Sequence, residues 1–359
     1  MKRHSSLYIV IGMLAFAIIA LVLYQWLYEE PEPIQPVTGS KFLMSTLVTQ
    51  QIYDSDQARA QDVLDEAYVI MEGYENALSL YVEDSYISLI NQQAGRDYVQ
   101  VPGDVFDLLS LSYNYGRLSA GVFDITIAPV TLAWGIHSSS PRIPGGEELA
   151  ELSALVNYQD ILFREEDGAV MLAREGMMVD LGAIAKGALC DVIRERLAPY
   201  GFQGYILSVG GNILAMGQPQ ENKDHFSIGI RNPRGSESSI IGYLDITDVI
   251  ISTSGDYERY FEANGVRYHH IFDPSTASPA QTDLISVSII CQSGSEAEFL
   301  STYLFVMGKE HLLASEERGE NEHFDFIAVD TDYNVYISKR LKDIFTPNDS
   351  LKEFTFIYV

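Results

Sequence analysis

An uninterrupted apolar run near the N-terminus sets the strongest limit on how this chain folds. Residues Leu7–Leu27 are nearly all apolar, and a helix of that length covers roughly the 30 Å hydrocarbon core of a bilayer. Lys2 and Arg3 precede the run, and Glu29 and Glu30 follow it. Because basic residues favour the cytoplasmic side, the pattern predicts a single-pass anchor in the cell membrane, with the rest of the chain extracytoplasmic.

A cleaved signal peptide is the alternative interpretation of this run. Such a peptide ends in a small-x-small cleavage site, whereas Tyr24, Gln25 and Trp26 occupy that place here. The sequence therefore favours an uncleaved anchor. We divide the chain into a cytoplasmic tip and anchor at residues 1–30, a proline-rich spacer at residues 31–40 and a folded domain at residues 41–359.

The charge of the chain excludes one class of partner. Fifty acidic residues against 23 basic residues give a net charge of −27. A surface of this kind repels nucleic acid, and an anionic substrate needs a local cation to bind. The two cysteines, Cys190 and Cys291, are far apart in apolar contexts, which predicts buried free thiols more readily than a disulfide and gives no structural zinc pattern.

The folded domain mixes helices and strands without strict alternation, which favours an α+β fold over a doubly wound parallel sheet. The spacing of apolar residues predicts long helices over residues 57–80 and 295–314 and a shorter one over residues 105–119. Strands are predicted at residues 226–231, 240–246, 268–272 and 284–291, and a hairpin at residues 161–173.

Polar residues occur within four otherwise apolar stretches of the sequence, and the first two contain Lys186 and Asp124. Lys186 lies between small residues at a predicted helix start, with Asp180 shortly before it. Asp124 lies in the apolar stretch GVFDITIAPVTLAWG, where a buried carboxylate must be paired or hydrogen-bonded. On its own, Asp124 is typical of a turn or cap aspartate satisfied by nearby amides.

The segment from Ile251 to Pro279 is the densest in polar groups. Thr253 and the residues after it offer hydroxyls and backbone amides suited to a phosphate, and Asp256 is titratable. His269 and His270 are adjacent on a predicted strand, so at most one of them faces any one site.

Glu298 has two interpretations. With Ser295 it matches a capping box at the start of a helix. With Thr302, four residues later on the same helical face, it presents oxygen ligands suited to Mg²⁺.

Together these stretches resemble the ApbE family of FAD:protein FMN transferases. The resemblance covers roughly residues 41–315. It runs in chain order through KFLMSTLVT, LSLYVEDSYISLIN, SAGVFDITIAPVTLAWG, VDLGAIAKG, LSVGGNILAMG, TSGDYERYF with RYHHIFDPSTASP, and EFLSTYLFVMG. It implies a mixed α/β, T-fold-like architecture with FAD in a cleft between two lobes.

The resemblance also implies a reaction, its cofactor and its partners. With Mg²⁺, the FMN half of FAD is transferred through its phosphate to a threonine of an acceptor protein, and AMP leaves. The acceptor is a flavin-carrying subunit of a membrane redox complex or a related extracytoplasmic electron-transfer protein. At the helix start, Lys186 and the helix dipole would meet the pyrophosphate.

Roles follow position by position from the same resemblance. Tyr81 is the stacking platform for the flavin ring. The other FAD-contacting positions are Met44, Val122, Phe123, Asp124, Asp180, Lys186, Thr253, His270 and Phe272. The Mg²⁺ ligands are the backbone carbonyl of Ala183 and the side chains of Glu298 and Thr302. Candidates for the base that takes the threonine proton are His270, Asp256 and Asp180, and the sequence does not choose among them.

Three positions depart from the family pattern. Ser45 and Ala277 stand where the family has glycine, which adds a Cβ where glycine would allow either a close backbone approach or a positive φ. Glu298 replaces the family's metal-binding aspartate. Because of these departures, a non-catalytic FAD-binding protein and an FAD pyrophosphatase remain alternatives to the transferase.

Overall fold

The computed structural model describes residues 12–21, 34–219, 223–236 and 238–359. They belong to two compact units, Met1–Gln35 and Pro36–Val359. In the first unit, residues 12–21 form a helix, while the other residues of the predicted anchor lie outside the described residues. Among the residues that are described, no helix has both the length and the apolar character needed to cross a bilayer.

All the strands of the described residues lie in the second unit, together with the helices named below. Its strands are β1 (Val37–Leu43), β2 (Thr46–Tyr53), β3 (Val99–Gln100), β4 (Ile161–Arg164), β5 (Ala169–Leu172), β6 (Gly204–Val209), β7 (Asn212–Gly217), β8 (Phe226–Arg231), β9 (Ile240–Ile246), β10 (Ile250–Gly255), β11 (Tyr260–Ala263), β12 (Val266–His269), β13 (Phe272–Asp273), β14 (Ser278–Pro279), β15 (Leu284–Cys291), β16 (Asp325–Asp330), β17 (Asn334–Ile337), β18 (Phe345–Pro347) and β19 (Thr355–Tyr358). Its helices are α1 (Gln57–Leu78), α2 (Tyr86–Gln92), α3 (Gly103–Leu118), α4 (Ala128–Trp134), α5 (Gly146–Ser153), α6 (Ala185–Leu197) and α7 (Gly294–Glu317).

A nine-stranded sheet in the order β1-β2-β6-β7-β10-β15-β16-β17-β19 forms the centre of this unit. All neighbours are antiparallel except β17 and β19. One face packs against α1, α6 and α7 in the main core, and the other packs against the small sheet β18-β9-β8 in a second core. Every residue of β15 is buried because both of its faces are covered. The mixed α/β architecture is therefore as predicted.

Most element bounds follow the sequence prediction, with three differences. The sheet starts at Val37, inside the residues predicted as spacer. The strand predicted over residues 268–272 is wrong: β12 ends at His269 and pairs with β11, whereas β13 begins at Phe272 and pairs with β14, so the chain changes strand partners between them. Helix α7 runs past the predicted end, to Glu317, across a kink at Gly308 with φ of 81°. Both cysteines are buried free thiols.

Helices α6 and α7 meet where each has a glycine. A Cβ built on Gly187 would lie 2.1 Å from the Gly294 carbonyl oxygen, and a Cβ on Gly294 would lie 2.1 Å from the Gly187 carbonyl oxygen. Both distances are far inside van der Waals contact, so only glycine fits at either position. The sequence thus lets two helix N-termini approach until their backbones touch.

Each of these helices carries a carboxylate that caps the other. Asp191 of α6 accepts hydrogen bonds from the Gly294 amide at 2.7 Å and the Ser295 amide at 2.9 Å. Glu298 of α7 accepts from the Gly187 amide. The free amides of a helix N-terminus carry partial positive charge and need acceptors, so each carboxylate stabilises its partner helix.

We predict that Asp191→Ala lowers the free energy of unfolding by about 1–3 kcal/mol, because two backbone amides at the start of α7 lose their acceptor. Glu195→Ala, an exposed carboxylate on the same helix, is the matched control and should change stability by less than about 0.5 kcal/mol. Urea unfolding followed by far-UV circular dichroism measures both. Equal midpoints for the two variants would contradict the capping role.

Candidate active site

A cleft of about 280 Å³ is lined by the end of α1, the start of α6, the first turns of α7 and the end of β10. It brings together all but one of the residues assigned from the sequence to flavin, metal or catalysis. Those lining it are Met44, Tyr81, Val122, Phe123, Asp124, Asp180, Ala183, Lys186, Thr253, His270, Phe272, Glu298 and Thr302. Seven separate stretches of sequence therefore converge on one cavity.

Asp256 is the exception, and its candidacy as a base is corrected by the structure. Both of its carboxylate oxygens accept from the Arg234 guanidinium, each at 2.6 Å. Arg267 lies 3.6 Å away on the same carboxylate. Asp256 is not among the residues that line the cleft. This bidentate pair gives Asp256 a structural role beside the cleft.

Lys186 and Glu298 form an ion pair at the base of the cleft. The Lys186 ammonium donates to Glu298 and, at 3.0 Å, to the Gly182 carbonyl. The Glu298 carboxylate is buried, with 4% of the residue exposed, so the pairing offsets the penalty of desolvating both charges. The lysine predicted to meet phosphate thus already has an anionic partner within the protein.

Glu298 does not cap its own helix, and that interpretation is wrong. The N-cap of α7 is Ser293, whose hydroxyl accepts from the Glu296 amide at 3.3 Å. Since Gly187 donates its amide to Glu298, the Ala183 carbonyl four residues earlier accepts no hydrogen bond within the described residues. Ala183 itself is one of the residues that line the cleft.

The three oxygen donors assigned to Mg²⁺ therefore fit a hard cation. They are one backbone carbonyl, one carboxylate and the hydroxyl of Thr302, which lies 3.3 Å from the Ser254 hydroxyl. Mg²⁺ takes such all-oxygen sets and completes its shell with water and phosphate oxygens. Among the described residues, no cluster of three or more His, Cys, Asp or Glu side chains offers another site.

The two adjacent histidines have different roles, as their alternation along the chain predicts. His269 donates from Nε2 to the Ala280 carbonyl at 3.0 Å and accepts at Nδ1 from the Ile271 amide at 3.3 Å, so both ring nitrogens are used structurally. His270 lines the cleft, and its Nδ1 lies 3.3 Å from the Arg259 carbonyl. A carbonyl can only accept, so the proton is on Nδ1 and Nε2 presents a lone pair.

Burial is the main cause that lowers the pKa of His270 to about 3, and the nearby His137, His269, Arg259 and Lys186 contribute in the same direction. The imidazole is consequently neutral at physiological pH and able to accept a proton.

The two cleft aspartates are both hydrogen-bonded by the chain itself. Asp124 accepts from the Thr126 amide at 2.8 Å, the Thr126 hydroxyl at 2.6 Å and the Tyr158 amide at 2.8 Å. Asp180 accepts from the Gly182 amide at 2.8 Å. Burial raises the pKa of both carboxyl groups, although these hydrogen bonds act in the opposite direction. For Asp124 the turn interpretation describes its contacts, and its effect on the cleft is to fix the preceding Val122 and Phe123.

Aromatic rings provide the apolar part of the cleft. Tyr81 is 61% exposed, so one ring face is available at the cleft. Phe123 is buried against Phe299, with ring centroids 5.3 Å apart. Phe272 is buried against Trp134 at 6.1 Å. An exposed ring beside a rigid apolar wall suits a flat heteroaromatic ligand.

Sequence reasoning missed Arg259, although it lies within the TSGDYERYF motif. Its guanidinium lines the cleft and donates to the Ser45 carbonyl at 2.6 Å and to Nδ1 of His137 at 2.7 Å. Met44 and Ser45 form the two-residue turn between β1 and β2, with φ of 50° and 58°. This left-handed geometry is that of a type I′ hairpin turn, and Arg259 ties it to the cleft.

The positive φ expected at the two glycine-to-larger departures is present. Ser45 has φ of 58° and Ala277 has φ of 50°, where a Cβ costs about 1–2 kcal/mol. We predict that Ser45→Gly raises the free energy of unfolding by about 0.5–1 kcal/mol. This net gain is the relief of the Cβ strain minus the larger conformational entropy that glycine loses on folding. Ser40→Gly in the ordinary strand geometry of β1 is the control and should destabilise. A lower thermal midpoint for Ser45→Gly would contradict the analysis.

The lowered pKa of His270 predicts a pH dependence of stability. Between the folded value of about 3 and the ordinary value near 6.5, the unfolded chain binds more protons than the folded chain, so stability is lost as the pH falls. His270→Gln should therefore lose less stability than the parent between about pH 7 and pH 5. His323→Gln, at an exposed histidine, is the control and should change the slope less than His270→Gln does, because no buried imidazole is lost. Parallel urea-midpoint curves for all three proteins would show that His270 is not buried as described.

The cleft lies where two capped helices meet in a mixed α/β unit, and it combines carboxylates with aromatic rings. Such a cleft is typical of an enzyme that binds a ligand. Residues 44–324 match the ApbE family model. The chain is 30% identical over 311 residues to an FAD:protein FMN transferase of Klebsiella pneumoniae, covering 87% of this chain and 94% of the relative. It is 32% identical over 290 residues to an FAD:protein FMN transferase of Treponema pallidum, covering 77% and 80%.

Solved structures agree with these sequence matches. The ApbE protein of Thermotoga maritima superimposes with a TM-score of 0.75 at 28% identity, over 89% of this chain and 99% of that one. The chain belongs to the ApbE family.

Proposed function

We propose that this protein is an FAD:protein FMN transferase. The observation that carries the proposal is the convergence of thirteen separately assigned residues on one cleft. The relatives from Klebsiella pneumoniae and Treponema pallidum are named FAD:protein FMN transferase. The cleft supplies an exposed tyrosine ring, a neutral histidine and a set of oxygen donors, which are the groups that this reaction requires.

The reaction is a phosphoryl-type transfer in which atoms balance without a further reagent. The oxygen of an acceptor threonine attacks the phosphorus of the FMN half of FAD. The bond from that phosphorus to the bridging oxygen breaks, and AMP leaves with that oxygen. The hydroxyl proton passes to a base, and we assign this role to Nε2 of His270, because this nitrogen is unprotonated and His270 lines the cleft.

Electrostatics support a requirement for a metal. The described lining includes the carboxylates of Glu75, Asp124, Asp180, Glu258 and Glu298 against the cations Lys186 and Arg259. A pyrophosphate dianion entering such a cleft is repelled unless more positive charge accompanies it. Ala183, Glu298 and Thr302 would hold Mg²⁺, which neutralises phosphate charge and stabilises the phosphoryl group in transit.

Lys186 links substrate binding to this metal site. Its ammonium is held by Glu298, and both side chains line the cleft. A bound phosphate offers the ammonium a second anion, which would free a carboxylate oxygen for the cation. FAD and Mg²⁺ are therefore proposed to bind cooperatively, each improving the site for the other.

The proposed location follows from the N-terminal pattern alone. The basic tip, the apolar run Leu7–Leu27 and the proline spacer support a single-pass anchor with the catalytic unit extracytoplasmic. The proposed acceptor is a flavin-carrying subunit of a membrane redox complex or a related electron-transfer protein. Fractionation of membranes, with protease added to intact cells, tests both the anchor and its orientation.

Activity is tested with purified protein, FAD and Mg²⁺. AMP release that rises with an added acceptor, together with covalent flavin fluorescence on that acceptor in a denaturing gel, supports the transferase. AMP release without labelling would identify an FAD pyrophosphatase. Tight FAD binding without AMP would identify a non-catalytic flavin-binding protein.

Glu298→Gln tests the metal assignment. Loss of the negative charge should raise the Mg²⁺ concentration for half-maximal AMP release by about tenfold or more, and should abolish the Mg²⁺-dependent rise in thermal midpoint. Without Mg²⁺ the free energy of unfolding of the variant should be lower than that of the parent by no more than about 3–5 kcal/mol, because Lys186 loses its buried anionic partner. Glu298→Asp keeps the charge and should keep the metal dependence.

Glu296→Gln is the matched control, since Glu296 lies in the first turn of the same helix and pairs with His323 at 3.2 Å. It should leave Mg²⁺ dependence unchanged. The metal assignment fails if Glu298→Gln responds to Mg²⁺ as Glu296→Gln does.

A further inference from the structure

A second cavity of about 220 Å³ adjoins the cleft, and the function proposed above does not use it. We refer to this cavity as the groove. Its walls come from β8, β10, β15 and the turn between β6 and β7. Gly210, Thr253 and Glu258 line both the groove and the cleft. The two cavities are therefore neighbours with a shared wall.

The shared wall is unusually thin. Gly210 and Gly211 are the two residues of the β6–β7 turn, with φ of 52° and 95°. Neither has a side chain, so the partition at this point is backbone alone. The groove contacts the face of the main sheet that carries Ile251 and belongs to the second core, whereas the cleft lies at α6 and α7 of the main core. An occupant of the groove thus reaches the cleft around the edge of the turn.

One wall of the groove is the strand β8. It is the last strand of the order β18-β9-β8, and within the described residues its outer edge pairs with no other strand. Gly229 is exposed and lines the groove. A free edge with an exposed glycine offers backbone donors and acceptors to an extended chain.

The polar groups of the groove suit a peptide better than a phosphate. Arg231 is already paired with Glu258 at 3.1 Å and lies over the Tyr257 ring at 5.0 Å, so its charge is balanced. Its Nε is buried and, within the part of the chain that the structure describes, has no hydrogen-bond partner. Ser286 and Ser288 add hydroxyls from β15, with Ser288 at 2.8 Å from Thr253. A buried donor without an acceptor is costly, and a peptide carbonyl supplies one.

We propose that the groove binds an extended segment of the acceptor protein along β8 and directs its threonine past the Gly210–Gly211 turn into the cleft. This proposal rests on the transferase function. The groove positions the attacking hydroxyl and takes no part in binding FAD. The groove would therefore be needed for transfer of FMN to a protein threonine, but not for hydrolysis of FAD by water.

Two variants test the groove without altering the cleft lining. Arg231→Lys keeps the charge that pairs with Glu258 but removes the unpartnered Nε. Ser286→Leu fills the groove from the β15 side. Thr346→Leu is the control, because Thr346 is exposed on β18, at the opposite edge of the small sheet from β8, and lines neither cavity.

The probe is a pooled synthetic library of threonine-centred dodecapeptides with FAD and Mg²⁺, and the readout is covalent flavin on peptide. Both groove variants should lower the rate of labelling, by up to about tenfold for one lost hydrogen bond and by about tenfold or more for the filled groove. AMP release without peptide, FAD affinity and thermal midpoint should stay within about twofold or a few degrees of the parent. The control should match the parent throughout.

Several results would overturn the proposal. Undiminished labelling by both variants, or a parent that releases AMP but labels no peptide, excludes the groove as a peptide site. A matching loss of FAD affinity in both variants would show that the groove holds part of the nucleotide instead. A parent that releases no AMP at all contradicts the transferase function, and the groove proposal falls with it.

Discussion

The close approach of α6 to α7 at Gly187 and Gly294 is the constraint on which the rest of the site depends. Two helix N-termini whose backbones touch would repel each other through their unpaired amides. Asp191 and Glu298, each four residues after the glycine of its own helix, supply the acceptors that the opposite terminus needs. The same contact places Ala183, Lys186, Glu298 and Thr302 in one wall of the cleft. Fold stability and the chemistry of the site thus depend on one pair of glycines.

Much of the fold could be predicted from the sequence, and so could thirteen of the residues that line the cleft, because short motifs contain both their residue types and their spacing. Strands β8, β9 and β15 match the predicted bounds, since apolar and turn residues mark them locally. The break between β12 and β13 could not be predicted, because it depends on a change of pairing partner from β11 to β14.

What the sequence could not show is which distant residues meet. Asp256 looked like a free titratable group, and only the fold reveals Arg234 on both of its oxygens. The sequence gives no sign of the role of Asp191, because a carboxylate in mid-helix is usually solvated and the amides that it accepts from belong to another helix. Arg259 was inside a recognised motif, yet its link to the Ser45 carbonyl spans most of the chain. Long-range pairings of this kind set the electrostatics of the site.

The glutamate at position 298 can be understood from the same geometry. Its carboxylate has to reach the Gly187 amide and the Lys186 ammonium from a helix whose backbone already touches α6 at Gly294. The longer side chain makes this reach within a buried site, and among the described residues it leaves the Ala183 carbonyl without a hydrogen-bond donor. A carboxylate neutralised by lysine attracts a cation weakly. In the proposed reaction the site therefore becomes a good metal site when phosphate draws the lysine away, which ties metal binding to the presence of FAD.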